Sequence, residues 1–200
     1  TSSTDADIGH IFGPPVPAEF NPQRSLQIAK MNNDRWALIT GNGYNSTNGR
    51  PVLLIQYLSG TGASLEKITA ASTGANATDN GLSTPRPVDL NGDGTVDVIY
   101  AGDLKGNMWK FDVSNKVPTG NWGVALGGNP LYIAKDSTDT RQPITSAPNV
   151  RTNKSVGGMM VAFGTGRNVT EGDRSDRTSI QTVYSILDET KYTLEGSGTN

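Results

Sequence analysis

Trp36-Ala-Leu-Ile-Thr-Gly-Asn-Gly43, Val98-Ile-Tyr-Ala-Gly-Asp103 and Met160-Val-Ala-Phe-Gly-Thr-Gly166 are three versions of one pattern, a short apolar strand that runs into glycine. Their landmark glycines Gly41, Gly102 and Gly164 stand 61 and 62 residues apart. The same offset pairs Leu82-Ser83-Thr84 with Ile144-Thr145-Ser146, so two independent landmarks share one register. Each glycine is followed by a second apolar run: Pro51-Val-Leu-Leu-Ile-Gln-Tyr57, Gly106-Asn-Met-Trp-Lys-Phe-Asp112 and Thr182-Val-Tyr-Ser-Ile-Leu-Asp188. A period of about sixty residues with several strands per unit is the mark of a β-propeller, whose blades are small antiparallel sheets packed face to face. The expected fold is therefore all-β, about three blades of a larger ring, since propellers typically close with about four to eight blades. Residues 1–200 are read as one partial propeller domain, with residues 1–20 as a polar and Pro-rich leader.

Working outward, the segment around Tyr184 carries a competing signal. Ile180, Val183, Tyr184 and Leu187 fall at helical spacing, but their place in the repeat predicts a strand. Thr69 to Gly81 and Val169 to Ser179 read as solvent-exposed loops. Trp36 and Trp109 lie in repeat strands, where a large aromatic is expected to pack between blades.

Composition agrees with many short strands. The chain has 24 Gly and 11 Pro against 18% charged residues, which favours turns over long surface helices. Net charge is −2 with Lys and Arg scattered singly, so no basic stripe is available to follow a phosphate backbone and nucleic acid is not an expected partner. The absence of cysteine excludes disulfides, thiolate metal sites and a cysteine nucleophile. His10 is the sole histidine, with no GxSxG or HExxH pattern anywhere, which leaves hydrolytic and zinc chemistry unsupported. The longest apolar run, Val52 to Leu58, is far too short for a membrane span.

Chemistry concentrates in Asp89-Leu-Asn-Gly-Asp-Gly-Thr-Val-Asp97, which matches DxNxDGxxD, the first nine positions of an EF-hand-type loop. Asp89, Asn91 and Asp93 offer side-chain oxygens, Thr95 a backbone carbonyl and Asp97 a carboxylate, a donor set suited to calcium. Three carboxylates crowded into nine residues repel one another unless a divalent cation offsets them. Position twelve is Tyr100 instead of the bidentate Glu, and Val96 to Tyr100 reads as a strand, so a strand-flanked site of modest affinity is expected, on the order of 10⁻⁵ to 10⁻³ M. An Asx-rich turn with solvated carboxylates is the bland alternative.

Weaker signals resolve blandly. Gly41-Asn-Gly43 and Gly164-Thr-Gly166 lack the third glycine and the helix of a dinucleotide fingerprint, and Ser59-Gly-Thr-Gly-Ala-Ser64 lacks the ending of a phosphate loop. Glu171, Asp173 and Asp176 match no known cation loop and are interleaved with Arg174 and Arg177. A solvated charged loop is the expectation there.

Taken in order, Arg35 to Ser46, Gly81-Leu-Ser-Thr-Pro85, Asp89 to Asp112, Gln142-Pro-Ile-Thr-Ser-Ala-Pro148 and Phe163-Gly-Thr-Gly166 resemble the C-terminal β-propeller of the PilC/PilY family. These are tip-associated adhesins and biogenesis factors of bacterial type IV pili, and the resemblance runs from about Phe20 to Thr190. It implies a modified, quinoprotein-like propeller with one calcium loop, ligated by Asp89, Asn91, Asp93, Thr95 and Asp97. The location implied is extracellular, at the pilus tip or the outer-membrane surface of a Gram-negative bacterium. Partners implied are pilin or minor pilins, other pilus assembly proteins and host surface receptors. The role implied is non-enzymatic, in pilus biogenesis, the balance of extension against retraction, and adhesion. Two rivals remain: a quinone-dependent dehydrogenase propeller, suggested by Gly106 to Asp112, and an integrin-α-like adhesion propeller, whose DxNxDGxxD loops typically recur in several blades.

Overall fold

Strands that are covered on one side alternate, and strands covered on both sides do not. That distinction organises the chain. In Trp36–Gly41 every second residue is buried, whereas all five residues of Val98–Gly102 are. The first run belongs to a sheet with one free face and the second to a sheet held between two neighbours.

The computed structural model describes residues 5–19, 21–58, 64–117 and 121–191. A hairpin of β1 (Pro17–Ala18) and β2 (Asn21–Ser25) precedes the first blade, which is β3 (Ile28–Met31), β4 (Trp36–Gly41), β5 (Val52–Tyr57) and β6 (Leu65–Thr69). The second blade contains β7 (Arg86–Val88), β9 (Val98–Gly102), β10 (Asn107–Asp112) and β11 (Gly123–Val124). The short β8 (Thr95–Val96) lies between β7 and β9 in sequence, and β12 (Tyr132–Ile133) pairs with β10. The third blade is β13 (Asn149–Thr152), β14 (Met159–Gly164) and β15 (Val183–Asp188). Within each blade the neighbouring strands are antiparallel and consecutive, apart from the loop strand β8. The predicted strand around Tyr184 is β15, and its repeat position, not its helical spacing, decided its structure.

Two cores hold the three sheets together. Ala37, Ile39, Leu53, Ile55 and Tyr57 of the first blade meet Ile99, Ala101, Trp109 and Phe111 of the second. From the opposite side of the second blade, Val98, Tyr100 and Met108 meet Val150, Val161 and Phe163 of the third. Burying each large aliphatic side chain here contributes about 1.5–3 kcal/mol. Trp109 is 2% exposed, as expected of an inter-blade aromatic. Trp36 is not between these blades: its side chain is 49% exposed on the open face of the first sheet, beside Ile28 and Leu38. It sits in the repeat register, but on the face that points away from the second blade.

The landmark glycines mark where one blade lets the next cross it. A Cβ on Gly41 would lie 2.2 Å from the carbonyl oxygens of Leu82 and Ser83, and one on Gly102 would lie 2.2 Å from the Ile144 side chain. The sequence offset that paired Leu82 with Ile144 is thus one repeated crossing. No described atom comes within 4 Å of a Cβ on Gly164. After each glycine comes a polar latch that accepts the backbone N–H opening the return run: Asn42 Oδ1 from Val52 (3.0 Å), Asp103 Oδ1 from Asn107 (2.9 Å) and Thr165 Oγ1 from Thr182 (2.8 Å).

The two stretches read as exposed loops do join strands, β6 to β7 and β14 to β15, and are mostly exposed, with local order inside them. Thr69 to Gly81 holds a 3-10 turn at Ala75–Ala77 and ends at Asn80 and Gly81, which are buried because Asn80 Nδ2 reaches the Asp103 carboxylate (2.9 Å). Val169 to Ser179 contains α1 (Glu171–Ser175), started by a capping box between Thr170 and Asp173. Residues 7–10 of the leader lie on the first blade: Asp7 is buried under Arg50, and the His10 N–H donates to the Tyr44 carbonyl (2.7 Å).

Candidate functional site

Asp89 follows the last residue of β7, and Thr95 and Val96 form β8, so the acidic loop closes the short gap between β7 and β9. It starts the second blade, yet it leans on the first: β8 runs parallel to β3, with Lys30 opposite Thr95 and Met31 opposite Val96. This crossing gives the loop two anchors on different sheets.

Within the loop the side chains fold inward onto its own backbone. Asp89 Oδ1 accepts the Gly92 N–H (2.7 Å) and Oδ2 the Gly94 N–H (2.8 Å). Asn91 Oδ1 accepts the Asp93 N–H (2.9 Å), and Asp93 Oδ1 accepts both the N–H (2.8 Å) and the hydroxyl (2.6 Å) of Thr95. Gly94, at φ 87°, supplies the left-handed turn that brings the chain back toward Asp89. Asp97 is buried, while Asp89, Asn91 and Asp93 are exposed and Thr95 is half-buried.

The two ends of the loop differ electrostatically. Hydrogen bonds from the Thr95 hydroxyl and N–H hold the Asp93 carboxyl below the usual carboxylate range. Burial pushes the Asp97 carboxyl up, and it does so against the hydrogen bonds from the Leu90 N–H (2.8 Å) and from Asn32 Nδ2 (3.3 Å). The charges of Asp93 and Asp89 also push Asp97 up. A cation beside Asp97 would relieve that cost.

Asn32, which the nine-residue motif does not contain, proves central to the anchoring. From the turn after β3 it also donates to the Val96 carbonyl (2.7 Å) and accepts the Thr95 hydroxyl (3.1 Å). Nothing in the sequence marks it, because it lies 65 residues from its carboxylate partner.

All five sequence-predicted residues are thus in one loop, with oxygen chemistry that suits a hard cation. Both Asp89 oxygens and Asp97 Oδ2 accept one N–H each and keep a second lone pair, whereas Asp93 Oδ1 uses both of its own on Thr95. Among the described residues no three His, Cys, Asp or Glu side chains stand close enough together to hold a metal ion. A cation in this loop would therefore depend on Asn91 and the Thr95 carbonyl as well as the carboxylates.

Other signals settle around this loop. A cleft of about 820 Å³ adjoins it, lined by Leu90, Asn91, Thr152, Met159, Glu189 and Lys191 among others, with no aromatic ring in its described lining. Asp173 and Asp176 are committed to local structure: Asp173 pairs with Arg167 (2.8 Å) and caps α1, and Asp176 accepts the N–H groups of Thr178 and Ser179. The phosphate-loop lookalike at Ser59 to Ser64 lies, but for Ser64, outside the described residues. Among the described residues no helix is long and apolar enough to cross a membrane.

Residues 21–200 match the PilY1 beta-propeller domain family. The chain belongs to that family. The type IV pilus biogenesis factor PilY1 of Pseudomonas aeruginosa is 38% identical over 210 residues, which cover 96% of this chain and 17% of the relative. A PilY1 homolog from Xylella fastidiosa is 38% identical over 207 residues, covering 98% of this chain and 13% of the relative. The chain thus spans less than a fifth of the length of these curated relatives. The crystal structure of the Pseudomonas aeruginosa PilY1 C-terminal domain superposes with a TM-score of 0.78 at 36% identity, over 92% of this chain and 38% of that one. The fold is accordingly that of the PilY1 propeller, here three blades among the described residues, whose sheets do not close into a ring. The resemblance carried by Arg35 to Ser46 and Asp89 to Asp112 identified the family correctly.

Proposed function

We propose that this chain is the calcium-binding propeller module of a type IV pilus biogenesis factor, acting without catalysis at the cell surface and at the pilus tip. The family supports the pilus role, since its matched relatives are named as biogenesis factors. The observation that carries the calcium reading is the inward fold of Asp89, Asn91, Asp93 and Asp97 in a loop pinned to two blades. An ion there would clamp the start of the second blade against β3 and fix the surface formed by the loop and the adjoining cleft. Pilin, minor pilins, other assembly proteins or a host receptor would read that surface. Calcium would then act by ordering a segment, and so bias extension against retraction and adhesion.

Calorimetric titration of the chain with calcium, beside Asp93→Ala, tests the reading. The wild type should show saturable heat and a rise in melting temperature, and Asp93→Ala should lose both. A wild type that is silent at millimolar calcium overturns the calcium assignment. Deletion of this domain from the whole protein, followed by counting surface pili, tests the biogenesis role separately.

A further inference from the structure

β6 and β11 are the outer strands of the first and second blades, and a cleft of about 500 Å³ opens between their ends. One wall is the segment from the end of β6, where Thr69, Ser72, Thr73 and Asn76 present hydroxyl and amide groups. These four side chains make no hydrogen bond to any described residue, so water meets them in the free chain. Their backbone is fixed all the same: the Ala70 N–H donates to the Pro51 carbonyl (2.9 Å), and the Asn76 carbonyl accepts Asn80 Nδ2 (2.9 Å). A wall set in advance loses little freedom when a ligand arrives. The apolar part of the lining is Val124, Pro130 and the Trp109 indole, whose Nε1–H is committed to Asp103 (2.7 Å) and leaves carbon for the cleft. No ionisable side chain is in the described lining, whereas the cleft beside the acidic loop has Glu189 and Lys191 in its own.

This composition selects the ligand by exclusion. A charged ligand would lose water and gain no counter-charge, and an apolar one would strip water from four polar side chains and return nothing. An extended peptide pairs with the alternating N–H and C=O groups of a strand edge, and here the polar groups are side chains of one short segment. Saccharide hydroxyls both donate and accept, so they replace the water on hydroxyl and amide groups one for one, while the C–H face of the ring covers apolar carbon. We infer that this cleft is a binding site for a neutral saccharide. Both of its walls come from blades within this chain, and it shares no residue with the acidic loop.

The test is saturation-transfer NMR of the folded chain with methyl β-galactoside, methyl β-glucoside and methyl β-N-acetylglucosaminide. Methyl β-glucuronide is the charged comparison and N-acetylglycine methylamide the peptide comparison. At least one neutral glycoside should bind, and more tightly than either comparison. Asn76→Leu should weaken it by about three- to tenfold, the scale of one hydrogen bond. Ser72→Trp, which fills the cleft from an exposed position, should abolish binding and serves if Asn76→Leu does not fold. Binding that neither variant lowers overturns the site. No transfer to any neutral glycoside overturns the saccharide assignment, as does equal or tighter binding of the glucuronide or the methylamide.

Discussion

Lys110 Nζ lies 2.6 Å from Asp188 Oδ2, and the two side chains are 1% and 2% exposed. The pair joins β10 of the second blade to the last residue of β15 in the third. Tyr100 donates its hydroxyl to the same carboxylate oxygen (2.7 Å), and Thr190 donates through its hydroxyl and N–H to the other. Burial by itself pushes the Asp188 carboxyl up, but the bonds from Lys110, Thr190 and Tyr100 outweigh it and hold it below the ordinary range. A satisfied ion pair thus takes the place of an apolar contact in the otherwise hydrophobic core of Val98, Tyr100, Met108 and Phe163.

Breaking that pair on one side leaves a buried charge without its partner. Asp188→Leu or Lys110→Met alone is expected to destabilise the chain by about 3–5 kcal/mol, while the double variant loses less than either single one. Urea unfolding of the three variants checks this. Additive losses in the double variant would show that the two charges are not coupled.

The crossing at Gly41 predicts an asymmetry among equivalent residues. Gly41→Ala places a methyl against two backbone carbonyls and should cost about 1–3 kcal/mol, whereas Gly164→Ala meets no described atom and should shift the melting temperature little. At roughly 2–4 °C per kcal/mol for a chain of this size, the difference is readable in a thermal melt. Similar melting temperatures for the two variants would contradict the crossing geometry.

These residues also show what the sequence could and could not reveal. Gly41, Gly102, Leu82 and Ile144 were legible because a close backbone crossing tolerates few residue types and so repeats them at a fixed spacing. The latches Asn42, Asp103 and Thr165 were not, because three different side chains accept the same kind of N–H and share no letter. Trp36 was misread for a different reason. Period two tells which residues share a face, but not which face has a neighbour, and Trp36 and Ile39 differ only in that respect. The acidic loop was legible because its members are consecutive. Asn32, and the grip of Glu19 on Arg151, depend on strand order, which pairs residues 65 and 132 positions apart.

Asp7 predicts an acid-sensitive attachment of the leader. Arg50, foremost, together with Asn48 and Lys67, holds its carboxyl far below the ordinary value of 3.8. A depressed folded-state value means that the contribution is complete above the unfolded value and declines as pH falls from there through the folded one. The gap in urea midpoint between the wild type and Asp7→Asn should therefore be widest near neutral pH and narrow progressively below about pH 4. A gap that stays constant from pH 7 to pH 3 would exclude this role for the charge.

Asn32 offers the sharpest check on the calcium proposal, because it contributes no ligand of its own. It holds Asp97 from the first blade, and its Oδ1 accepts the hydroxyl of Thr95, whose carbonyl is a candidate ligand. Groups that orient ligands in this way typically change metal affinity by about 10- to 100-fold when removed. Asn32→Ala should therefore weaken calcium binding on that scale with all five proposed donors retained, and Asn32→Asp should recover part of it by restoring an acceptor for Thr95. If Asn32→Ala binds calcium as the wild type does, the Asn32 side chain does not shape the site. In that case the pairing of β8 with β3 would be the loop's remaining hold on the first blade.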